Sequence, residues 1–145
     1  MTGSTVKTVV KYPHHKGGDM FQIDNMSHIP VYEQLVGQVE TYVLKGLLNP
    51  GDRLPSVRSL AGSLAVNPNT IQKAMGELDH KGIICSVPGK GCFISEKAQE
   101  ILRDEHRGEL KSFKEQLNRF RMAGIKRSEI EKCVDEVYSE KRDTK

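Results

Sequence analysis

Asn67, Asn69, Thr70, Gln72 and Lys73 crowd one short run of the chain, LAVNPNTIQKAMGELDHKG at residues 64–82. Carboxamides donate and accept at once, so Asn and Gln can pair bidentately with an adenine edge. Lys favours guanine or a phosphate, and the Thr70 hydroxyl can donate to a phosphate oxygen. Asn67 suits an N-cap and Pro68 the first helical position, and the free N–H groups of that helix start favour an anion. Gly76 puts no side chain in the way of an approaching surface. Upstream, LPSVR supplies Ser56 and Arg58; downstream, Gly89, Lys90 and Gly91 sit where a hairpin tip is expected. A merely solvated helix face has much the same composition, so the assignment depends on the elements that carry these residues.

Ile71, Ala74, Met75 and Leu78 recur at i, i+3, i+4 and i+7, a single apolar stripe behind the polar face, and Gly82 marks the helix stop. Before it, Ser56 caps a short helix over residues 56–64 that buries Val57, Leu60, Ala61 and Leu64. A three-residue turn, Ala65-Val66-Asn67, joins the two helices. Earlier still, Pro30 opens a helix over residues 30–48, with Val31, Leu35, Val39 and Tyr42 at helical spacing. After Gly82, two β-rich runs, 83–87 and 92–95, flank Pro88-Gly89-Lys90-Gly91 and read as a hairpin. If Val87 pairs with Cys92, Cys85 lies diagonal to Cys92, too far for a disulfide. Helix, helix, tight turn, helix, hairpin is the order of a winged helix-turn-helix.

Charge does not decide the matter. The chain has 145 residues, 22 Lys and Arg against 19 Asp and Glu. Residues 21–95 carry six of each sign, so there is no general basic footprint and only particular positions could contact nucleic acid. No apolar run approaches a membrane span and the start has no secretory apolar segment, so the expected location is cytoplasmic. The three cysteines have no CxxC spacing and are expected as free thiols; His14 and His15 lack a second ligand pair, so no metal or cofactor is expected. No nucleophile triad or paired-carboxylate cleft is evident. PGKGCF lacks the spacing, following helix and Ser/Thr of a phosphate loop, so an enzyme is not expected.

The stretch from Pro30 to Ser95, above all PGDRLPSVRSLA, VNPNTIQKAMGEL and GKGCFI, resembles the DNA-binding domain of the GntR family of bacterial transcription regulators. The remainder, including AGIKRSEIEKCVDEV, resembles the small YtrA-type branch. The resemblance implies a mainly α fold with a β-hairpin wing and a dimeric repressor on a palindromic operator. It implies DNA contacts by Arg58, by Asn67, Asn69, Thr70, Gln72 and Lys73, and by the wing glycines with Lys90 at the minor groove. Members of this branch often control transporter operons, frequently including their own gene. Met75-Gly76 departs from the usual pattern, in which an aromatic residue is common, and Cys92 replaces a commoner Thr.

Three regions are expected: a tail over residues 1–20, the winged domain over 21–95 and a two-helix dimerisation region over 96–145. Lys16 to Asp19 can be encoded by a purine-rich run just ahead of the Met20 codon, so either translation begins at Met20 or the tail is a flexible arm. In the last region Leu110, Phe113, Leu117 and Phe120 form a stripe, which Ile101, Leu102 and His106 extend upstream. Gly124 stops that helix. Ser128 to Glu131 reads as a capping box opening a last helix, with Ile130, Cys133, Val134, Val137 and Tyr138 on one face. Two such helices are too small to enclose a metabolite pocket of roughly 300 Å³. Self-association would bury both stripes, whereas packing back on the winged domain or a ligand site shared across a dimer are the alternatives. A winged-helix module that binds protein rather than DNA also stays open.

Overall fold

The computed structural model describes residues 7–11 and 19–140. Pro13, His14, His15, Lys16, Gly17 and Gly18, on which part of the tail and start-site reading rests, lie outside them. The described residues up to Leu102 form one compact unit and those from Arg103 onward a second.

Where the sequence suggested a tail through residue 20, strand β1 (Lys7–Lys11) pairs antiparallel with β2 (Asp19–Asp24). Met20, Phe21 and Ile23 are buried. The reason lies in helix α1 (Val31–Leu44). The Gln34 amide accepts from the Asp24 N–H at 2.9 Å and donates to the Asp24 carbonyl at 3.0 Å. Gln38 does the same with Gln22, accepting its N–H at 2.8 Å. One turn further on, the Tyr42 hydroxyl donates to the Met20 carbonyl. Four helical residues advance about 6 Å and two strand residues about 6.6 Å, so one helix stripe can follow one strand edge. In an extended strand Phe21 and Ile23 direct their backbone groups to the opposite edge, where Val10 and Thr8 of β1 stand. α1 itself ends at Leu44, short of the expected residue 48; Lys45 caps it and Gly46 turns left-handed.

Helices α2 (Val57–Leu64) and α3 (Pro68–Lys81) follow with the three-residue turn between them. Leu60, Ala61 and Leu64 of α2 and Ile71, Ala74, Met75 and Leu78 of α3 join Leu35, Val36, Val39 and Val43 of α1 in one core. The turn is made by Ala65 in the left-handed region, φ 53°. A 2.6 Å ion pair between Lys81 and Glu40, both largely shielded, ties α3 to α1.

The hairpin consists of β3 (Ile84–Val87) and β4 (Gly91–Ile94). Its register differs by one from the expectation: Val87 faces Gly91, Ser86 faces Cys92 and Cys85 faces Phe93. The Lys90 N–H closes a turn onto the Val87 carbonyl at 3.0 Å, so Pro88 and Gly89 are its central pair, with Gly89 at φ 76° as that turn demands. Cys85 and Cys92 therefore lie on opposite faces of the ribbon. All three cysteines are free. A third short segment joins the other edge of β4: Arg53 bridges Phe93, and the Leu54 N–H donates to the Cys92 carbonyl.

Three helices, not two, follow the hairpin: α4 (Ala98–Gly108), α5 (Leu110–Met122) and α6 (Arg127–Ser139). The helix is interrupted at Glu109, whose N–H turns back to the His106 carbonyl three residues earlier. Ala98 and Leu102 are buried in the core of the first unit, with Ile101 packed against it. The upstream part of the expected stripe is thus spent on the winged unit, which runs to Leu102 rather than ending near residue 95. The expected capping box is not formed. α6 starts at Arg127, behind Lys126, and makes no side-chain cap bond.

Candidate nucleic-acid interface

On α3 the buried stripe leaves the opposite face in solvent. Asn69, Gln72, Lys73 and Gly76 are all exposed and fall at i, i+3, i+4 and i+7. The helix start is set by Asn67, whose side-chain oxygen accepts the Asn69 N–H at 2.8 Å. That leaves the Asn67 amide N–H₂ as its free recognition group. Thr70 is half-buried beside it. Ser56 has the same double position on α2: its oxygen accepts the Ser59 N–H at 3.1 Å while its O–H is left to donate outward. Arg58 is exposed two residues further on. A Cβ placed on Gly76 would meet nothing within 4 Å, so the centre of the polar face is open.

Lys73 is held in place. Its ammonium lies 4.0 Å from the centroid of the Tyr32 ring in the first turn of α1. The Tyr32 hydroxyl donates to Glu33 at 3.1 Å. That carboxylate holds the hydroxyl above the usual phenol range, with Glu77 adding to the effect. Stacking on the ring restricts a long flexible side chain before any ligand arrives. Nothing in the sequence singled out Tyr32 as a support for Lys73.

At the wing, Lys90 is exposed at the tip behind Gly89. Gly91 opens β4 at φ 118°, and a Cβ there would lie 3.0 Å from Nε of Arg53 and 3.4 Å from its Nη2. The Arg53 guanidinium thus rests against Gly91, which is half-buried beneath it. In the sequence nothing marked Arg53 beyond its place in the PGDRLPSVRSLA stretch.

In the second unit no residue of α5 or α6 is buried. Phe113, Leu117, Phe120, Ile130, Val134 and Val137 line one open groove of about 310 Å³, joined by Cys133 and Tyr138. Leu110 does not line it and stands exposed at the start of α5. Among the described residues no group of His, Cys, Asp and Glu could hold a metal ion, and no helix is long and apolar enough to cross a membrane.

Comparison with known proteins agrees with this architecture. Residues 31–94 match the family model described as bacterial regulatory proteins, gntR family. The HTH-type transcriptional repressor YtrA of Bacillus subtilis (strain 168) is 39% identical over 125 residues, spanning 83% of this chain and 94% of that protein. A transcriptional regulator from Oenococcus oeni superposes with a TM-score of 0.65 at 31% identity, covering 81% of this chain and 98% of that one. A GntR family transcriptional regulator from Listeria monocytogenes gives a TM-score of 0.63 at 33% identity, covering 79% and 98%. With the winged helix-turn-helix, its exposed polar recognition face and a relative matched over nearly its whole length, this chain belongs to the GntR family of DNA-binding bacterial transcription regulators.

Proposed function

We propose that the protein is a repressor that binds an inverted-repeat operator as a homodimer, in an operon that includes its own gene and encodes a transporter. The observation that carries the reading is the face of α3, where Asn69, Gln72, Lys73 and Gly76 stand exposed directly opposite a buried apolar stripe. In this reading Asn69, Gln72 and Lys73 read base edges in the major groove, with Asn67 beside them. Arg58, Ser56 and Thr70 hold phosphates, and Lys90 reaches the minor groove from the wing, where Gly89 and Gly91 allow close approach. The α5–α6 groove is where a second copy docks, through Phe113, Leu117, Phe120, Ile130, Val134 and Val137, with Leu110 at the rim. A helix pair with no buried residue of its own supports that reading. Two recognition helices about 34 Å apart would match half-sites one DNA turn apart.

A fluorescence-anisotropy titration against the DNA upstream of the protein's own gene, with a scrambled duplex beside it at two salt concentrations, tests the DNA half. Tight, salt-sensitive and selective binding is expected. Weak binding that ignores salt and sequence would instead favour a protein-interaction module, for which the balanced charge of residues 21–95 speaks. For the dimer half, Leu117→Lys should sediment as a monomer; a variant that stays dimeric removes the groove from the account.

A further inference from the structure

Arg53 lies outside the face assigned above, yet its placement is unusual for an exposed side chain. Its backbone is fixed by the bridge to Phe93, and its neighbours Asp52 and Leu54 both hydrogen-bond to β4. Its guanidinium lies along β4 at Gly91, next to the wing-tip Lys90, with a gap that only a glycine leaves open. Among the described residues no salt bridge joins it to a carboxylate, although Asp52 is its sequence neighbour. Asp52 is instead turned to the Asn49 N–H, which donates to it at 2.8 Å. A guanidinium resting against backbone is already restricted, and its planar fork matches two oxygens of a phosphodiester.

We propose that Arg53 is a DNA-backbone contact of the wing, gripping a phosphate that flanks the minor groove Lys90 reaches. Besides allowing close approach of the wing, Gly91 leaves room for the guanidinium. The inference rests on the DNA-binding reading and extends its footprint from the helix-turn-helix to the segment preceding α2.

The test is a salt series of anisotropy titrations with the full chain, on the upstream duplex and on a scrambled duplex, for wild type, Arg53→Gln and Arg53→Lys. Phosphate contacts carry no sequence information, so Arg53→Gln should weaken both duplexes by a common factor, roughly tenfold. The slope of log affinity against log salt should become shallower by about 0.9 for each phosphate that is no longer neutralised, and Arg53→Lys should restore it. A wild-type slope in Arg53→Gln, a weakening confined to the operator duplex, or a slope that Arg53→Lys does not restore overturns the proposal. Wild-type protein that binds neither duplex overturns the underlying DNA reading instead.

Discussion

Replacing Gly76 by Ala separates the two properties of the recognition face. Gly76 sits inside the 14-residue helix α3 with its front open. A Cβ there meets nothing within 4 Å, so the substitution brings no clash in the free protein. It should collect the full difference in helix propensity, about 0.8–1.0 kcal/mol. For a unit of this size that raises the midpoint of thermal unfolding by roughly 4–8 °C, read by circular dichroism or calorimetry. On DNA the sign reverses. A methyl group pressed between helix and groove costs about 1–3 kcal/mol by analogy with overpacking, roughly 5- to 150-fold in Kd. The variant should therefore be more stable and bind more weakly. A gain in stability with unchanged operator affinity refutes the placement of Gly76 against DNA. An unchanged or lowered midpoint refutes the open geometry of the face.

Three further perturbations probe the supports of that face. Gln38→Leu strips two hydrogen bonds from Gln22 and should lower stability by about 1–3 kcal/mol; a wild-type midpoint would mean that water replaces the amide fully. Tyr32→Leu removes the ring beneath Lys73, an interaction worth about 0.5–1 kcal/mol, and should weaken operator binding up to roughly fivefold, while Tyr32→Phe stays near wild type. Equal binding by the Leu variant would show that Lys73 needs no support. Burial pushes the Tyr42 hydroxyl above its ordinary value of 10.0. The raised group favours the folded state fully below that pH, and its contribution is lost as pH climbs through the folded value. Wild type should lose stability above about pH 10 more steeply than Tyr42→Phe; parallel denaturant midpoints for the two would argue against it.

The helix-turn-helix was legible because its signals are local. Asn67, Pro68, the stripe from Ile71 to Leu78 and Gly82 all lie within one segment, and each agrees with the others. The β1–β2 ribbon was not, because β2 is recruited by glutamines of α1 that stand 10 and 16 residues away and look like ordinary surface residues in the sequence. The hairpin register slipped by one because the four turn-prone residues hide which three form the loop. Only the Lys90–Val87 hydrogen bond places Gly91 in the strand. Downstream, apolar spacing carried straight through Glu109, so the break between α4 and α5 and the diversion of Leu102 into the winged core were invisible. Within the candidate site, Arg58 and Lys90 could be picked out by motif and turn. Arg53 and Tyr32 could not, since what distinguishes them is the packing of one on Gly91 and of the other under Lys73, across the fold.

The central claim is that the exposed face of α3 reads DNA sequence, twice, from a symmetric pair. Selecting duplexes from a randomised pool with the wild-type chain measures that directly, with no operator assumed in advance. The account predicts enrichment of an inverted repeat whose half-site centres lie about one helical turn apart, with Gln72→Ala relaxing preference within each half-site. A pool that emerges without enriched sequence, or enriched in a single unrepeated site, would contradict it.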